Sequence, residues 1–302
     1  MILCFCLAIL TALNPGEEPE SIQERVEQDP ICRKARDMAI MAGLQQEDAN
    51  ELAYELGASP VFPPPRERVE YWEDKEGFDL FPFLQSVLEV EEIPFKGPRM
   101  GQPSFGPTML SQSNILNWIA VCHDPESSEW LIEYVETQMK EPIRSINVAK
   151  KIYHLMKCLG YDGSDKAVDI LFRLQSKEAW ENAPPVEIQI EGLSPEATRL
   201  EMDEIRRVAV TGIAFSGTDR ALHAFATGEG LADDMLGACE SYFITAAHAR
   251  LGIYSIISPY EPGLQPELKA ALEAIYDEYG VKYPWEGSFE ADSNERPPLS
   301  IG

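Results

Sequence analysis

Gly163-Ser164-Asp165-Lys166-Ala167-Val168 and Gly217-Thr218-Asp219-Arg220-Ala221-Leu222 are two copies of one short phrase, 54 positions apart. Each copy separates two stretches whose apolar residues recur at helical spacing. Glycine takes the left-handed conformation that ends a helix at little steric cost, and a Ser or Thr beside it caps the helix that follows. Each copy therefore predicts the bend of a helical hairpin. The pair predicts an all-α fold of stacked hairpins, not an active site.

Working outward, Val148, Ile152, Leu155, Met156 and Leu159 make an apolar stripe before the first bend, ending at Gly160. Ala167, Ile170, Leu171 and Leu174 make its partner stripe. Around the second bend the stripes are Ile205, Val208, Ala209, Gly212 and Ile213, then Leu222, Phe225 and Ala226, with Gly228 and Gly230 closing the unit. Upstream, Ile115, Trp118 and Ile119 lead to Asp124-Pro125, a helix start with Asp as cap and Pro in the first turn. The step from Asp124 to Ser164 is about 40 residues, the length of a two-helix repeat. The longer step to the second bend implies an insert, and Pro184 to Glu191 alternates like a short strand or strap. Downstream, Asp233 is expected to open a long helix with Leu236, Cys239, Phe243, Ala246 and Ala247 on one side, and Pro266 the last one, stopping at Gly280.

Before the repeats the rhythm changes. Residues 1–13 are apolar from position 2 onward, too short to span a bilayer, which needs about 20 residues, and closer to a signal-peptide core. No Lys or Arg precedes that run, and a buried N-terminal helix of a cytoplasmic protein is the competing expectation. Export (periplasmic or secreted) is favoured, with a membrane reached only through an uncleaved leader. Residues 14–20 read as a flexible spacer and 21–57 as a helical hairpin. Residues 58–113 read as an irregular aromatic and Pro-rich strap, in which only Phe83 to Glu91 has helical spacing. The strap holds Tyr71, Trp72, Phe78, Phe81, Phe83, Phe95 and Phe105, aromatics seldom spent on disorder. The hairpin array runs from 114 to 280, and 281–302 reads as a disordered tail.

The 302-residue chain carries 51 acids and 25 Lys and Arg, a net charge of −26. Residues 1–100 hold 20 acids against 9 bases and the remainder 31 against 16, so the acidity is spread along the chain. Such a surface repels nucleic acid and anionic lipid, and suits a basic protein partner.

Asp203-Glu204-Ile205-Arg206-Arg207-Val208-Ala209-Val210, continued by the second bend, resembles a HEAT repeat: an acidic–apolar–Arg entry, a first helix of small residues, a Gly-Asp bend, then Ala-Leu. Val148 to Leu174 looks like a weaker copy, with Ile152 where the Arg206 position falls, and Asn114 to Met139 is weaker still. The resemblance implies an α-α superhelix of HEAT-like hairpins of the ARM type. It implies a non-catalytic scaffold that binds another protein along its inner curve, since the fold alone licenses no activity. Arg206, Arg207 and Arg220 are the candidate binding residues on that inner face, with Trp72 of the strap beside them. Pairing of those arginines with neighbouring acids is the structural alternative.

Chemistry is sparse. The histidines are His123, His154, His223 and His248. His154 and Cys158 lie four apart on one helix, but zinc needs three or four ligands and no paired CxxC or HExxH occurs, so no metal is expected. Glu240 and His248 are two turns apart, a conceivable acid–base pair. Cys32, Cys122, Cys158 and Cys239 are expected as structural thiols, Cys239 in the core. Gly228-Glu229-Gly230 lacks the third glycine of a nucleotide fingerprint, and no cofactor is implied. The alternative function is an enzyme or small-ligand binder using His223, His248 or Glu240 in a cleft between the array and the 59–113 strap.

Overall fold

A computed structural model describes residues 21–58, 63–91, 93, 95, 110–122, 124–140, 146–180, 195–254 and 266–284. The leader, the spacer, the alternating stretch after Pro184, Phe105, His123 and most of the tail lie outside the described residues. Among the described residues the regular elements are thirteen α-helices and two 3-10 turns, with no strand. The chain divides into two compact units, 1–61 with 71–118 and 62–70 with 119–302.

The first unit opens with α1 (Ile22–Gln28), α2 (Pro30–Met41) and α3 (Gln46–Ala58). Ser21 and Glu24 form a capping box on α1, each side chain bonding the other's backbone N–H, and Asp29 caps α2 ahead of Pro30. Ala35 and Ala39 of α2 and Ala49, Leu52, Ala53 and Leu56 of α3 form the seam, each at most 1% exposed. Ala42, next along that helical spacing, is exposed because α2 stops at Met41.

The expected irregular strap is largely helical where it is described. It contains α4 (Arg66–Glu73) and α5 (Leu80–Leu88), followed by α6 (Gln112–Ile119). Pro65 directly precedes α4 and Pro82 sits in the first turn of α5, where a missing N–H costs nothing. Four of the aromatics are core, while Tyr71 is exposed. Trp72, Phe78, Phe81 and Phe83 are each at most 7% exposed, and Phe78 packs on Phe83 with ring centres 5.3 Å apart. Lys75 donates to Asp48 at 2.8 Å, and the Asn114 amide donates to the Leu56 carbonyl, satisfying an end-of-helix acceptor of α3.

The second unit holds α7 (Pro125–Lys140), α8 (Ile146–Asp162), α9 (Asp165–Leu174), α10 (Pro195–Ser216), α11 (Asp219–Thr227), α12 (Cys239–Arg250) and α13 (Pro266–Tyr279). Both bends are as expected: Gly163 has φ 63° and Gly217 φ 58°, and Ser164 and Thr218 cap the next helix by accepting from Ala167 N–H and Ala221 N–H. Asp124 caps α7 by accepting from Glu126 N–H at 2.8 Å. Successive hairpins pack side by side, α8 on α10 and α10 on α12, with α9 and α11 filling against α10 and α12.

Two expectations are corrected here. Gly160 does not end α8; the helix continues to Asp162, and Gly160 lies where α8 and α10 meet. A Cβ on Gly160 would stand 3.0 Å from Gly212 Cα and nearer still to Gly212 O, while one on Gly212 would stand 2.5 Å from Met156 O. Hydrogen is the only side chain that fits between the two backbones. The helix expected from Asp233 begins instead as a 3-10 turn, Asp233–Ala238, before α12 starts at Cys239. Leu236, placed on the buried stripe by helical spacing, is therefore 40% exposed.

Candidate functional site

The polar centre of the second unit is built on Arg206. Its side chain is 2% exposed, although arginines are rarely buried without partners. The guanidinium donates through Nη1 and Nη2 to both carboxylate oxygens of Asp234 at 2.8 and 2.7 Å, through Nη1 to Asp203 at 3.2 Å, and through Nε to the Gln175 carbonyl at 2.9 Å. The fork geometry of arginine matches a carboxylate in this two-bond fashion. Gln175, at the end of α9, bonds the Gly230 carbonyl and accepts from Ala232 N–H, while Lys177 reaches Asp234 at 3.2 Å. The cluster thus ties the ends of α9 and the 228–234 loop to the middle of α10. The bond from Arg206 holds the Asp234 carboxyl well below the usual carboxylate range.

The other candidate residues are not gathered around it. Arg207 is 59% exposed, with Glu204 at 3.6 Å as a loose ion pair. Arg220, on α11, pairs with Asp169 of α9 and lies over the Phe172 ring at 4.3 Å. Trp72 is fully buried in the first unit, where its indole N–H donates to Glu55 at 2.8 Å. Arg206 and Trp72 hold the fold together and present almost no surface; Arg207 and Arg220 are accessible.

The three described histidines do not converge. His154 and His248 are each 3% exposed, and His223 is exposed with Glu229 at 3.2 Å. His248 Nδ1–H donates to the Ile244 carbonyl at 2.7 Å, so Glu240, which is exposed, is not its partner. Among the described residues no three His, Cys, Asp or Glu side chains are placed to hold a metal ion. The four described cysteines form no disulfide. Burial pushes the Cys32 thiol up to about 12 and Cys158 higher still, so both stay protonated and inert. Cys239, expected in the core, is half-buried because the 3-10 turn shifts the start of α12.

What residue-by-residue reading missed is the sign of α8. It carries Lys150, Lys151 and Lys157 against one carboxylate, Asp162, and is the one helix of α7–α13 in which cations outnumber acids. The signal was present in the sequence as a per-helix charge count in a chain of −26. Lys151 lies over the Tyr134 ring of α7 at 5.3 Å, and Tyr134 stacks on Trp130 with ring centres 5.0 Å apart.

No helix among the described residues is long and apolar enough to cross a membrane. No protein-family model, curated protein or solved structure matches this chain.

Proposed function

We propose that the chain is a protein-binding scaffold whose second unit is an array of HEAT-like hairpins, wound as an α-α superhelix. The observation that carries this reading is the repeated bend. The two Gly-Ser/Thr-Asp phrases have the same backbone conformation and the same cap, and the helices before them, α8 and α10, pack against each other in parallel register. Units that bury their apolar faces on their neighbours leave a long continuous surface, and such surfaces serve protein recognition. The partner is another protein, and the net charge of −26 favours one that offers basic surface at long range. Export through residues 1–13 belongs to the same proposal; N-terminal sequencing of secreted material is expected to start after the leader, and an intact Met1 contradicts it.

The binding proposal is tested by photo-crosslinking in a native extract. A photoreactive residue is placed at Tyr153 of α8 or Thr211 of α10, with exposed Lys166 of α9 as the control position. A discrete adduct of one size is expected from the α8 and α10 positions and not from the control. Absence of adducts at every position contradicts the scaffold reading.

A further inference from the structure

Lys150 and Lys157 stand seven residues apart on α8. That is two turns, so both project from one face at levels separated by about 10 Å. Both are half-buried. In a chain where Arg36, Arg66, Lys75, Arg173, Lys177, Arg206, Arg207, Arg220, Arg250 and Lys269 all reach a carboxylate, neither Lys150 nor Lys157 does among the described residues. Asp162, the only acid of α8, is taken up by Ser164 at the bend. One turn beyond Lys157 the stripe ends on Tyr161, whose ring packs against Phe215 and Tyr254 at 5.2 and 5.0 Å. Tyr161 is 5% exposed, and its hydroxyl has no partner among the described residues.

We propose that the face of α8 bearing Lys150 and Lys157 docks an acidic peptide segment of the protein partner. The proposal rests on the scaffold reading above and adds the chemistry of the contact. Half-burying an ammonium with no counter-charge costs solvation, and an incoming carboxylate offsets that cost. Consistent with this, burial holds the Lys157 ammonium below its usual range, with no carboxylate nearby to raise it. An extended strand rises about 3.3 Å per residue, so carboxylates about three residues apart match the two-turn spacing of the lysines. The acidity of the rest of the protein does not forbid this, because charges more than about 8 Å away are largely screened at physiological salt. It makes the contact selective for a segment that reaches the lysines themselves.

The test uses the full-length protein and fluorescein-labelled hexaglutamate, with hexalysine as the opposing probe, followed by fluorescence anisotropy. Hexaglutamate is expected to bind, to weaken as salt is raised, and to lose at least about tenfold in affinity in the Lys150→Met/Lys157→Met double variant. The Lys166→Met variant on α9 is expected to bind like the unmodified protein. If the double variant does not fold by circular dichroism, each single variant is expected to lose part of the affinity. Equal binding of hexaglutamate to the lysine variants overturns the proposal, as does binding of hexalysine alone or of neither probe. The crosslinking experiment separates the two levels: adducts from Tyr153 or Thr211 that persist in the double variant leave the scaffold reading standing and remove this one.

Discussion

The bends at Gly163 and Gly217 share their sequence, their left-handed φ and their cap, yet they meet different surroundings. A Cβ on Gly163 would touch Ser216 O at 3.4 Å, an ordinary contact. A Cβ on Gly217 would meet the Ala249 carbonyl carbon at 2.8 Å and the Arg250 amide nitrogen nearer still. One phrase thus answers two demands. The local demand, a left-handed residue before a cap, is the same in both hairpins. The non-local one, room for the backbone of the next hairpin, is severe only at the second bend.

The largest effect is expected for Gly217→Ala, which adds backbone overlap to left-handed strain and should cost about 3 kcal/mol or more in urea unfolding. An equal loss at both glycines would erase the distinction between the bends. Arg206→Ala comes next, at about 2–3 kcal/mol. It unties Asp234 and the Gln175 carbonyl, and the figure is kept below the range for fully buried pairs because the Asp234 side chain is 40% exposed. The same pair sets a pH dependence. The Asp234 carboxyl is held low in the folded state, so its contribution is full above the unfolded carboxylate value near pH ~4 and fades as pH falls below it. In Asp234→Asn the loss of stability on acidification below that point should be shallower; an unchanged slope would remove the pair from the acid response.

Gly163→Ala should cost about 1–2 kcal/mol, the left-handed strain alone. Thr218→Ala should cost about 1 kcal/mol for the lost cap bond, and Ser164→Ala somewhat more, because the Ser164 hydroxyl also donates to Asp162. Equal cap losses would show that the bond to Asp162 adds nothing. The smallest change is expected for Arg220→Ala, under about 1 kcal/mol, since its ion pair with Asp169 is exposed.

Local demands were legible in the sequence and distant ones were not. Asp124, Ser164 and Thr218 cap helices where their spacing placed them, because a cap needs only the next three residues. Gly160 was misread as a stop because the partner that requires a glycine there, Gly212, lies on another helix. Helix α4 was hidden by Pro63-Pro64-Pro65 and by a charged sequence whose buried Val69 and Trp72 are too few to make a stripe. Arg206 and Arg207 are adjacent and chemically equal in the sequence. About 100° of helical rotation puts one inside and one out, and the carboxylate that decides the matter, Asp234, is 28 residues away. The cations of α8 were visible as a count, but their lack of carboxylate partners became visible only when the neighbouring helices were in place.

The account turns on α8 and α10 being equivalent helices of consecutive hairpins, meeting backbone to backbone. Nuclear Overhauser spectroscopy on full-length protein labelled selectively at glycine tests this most directly. A cross peak between the Hα protons of Gly160 and Gly212 is predicted, since the space beside Gly160 is filled by the Gly212 backbone and the space beside Gly212 by the Met156 carbonyl of the same helix as Gly160. Assigned resonances for both glycines with no such cross peak, and with contacts to other helices instead, would contradict it.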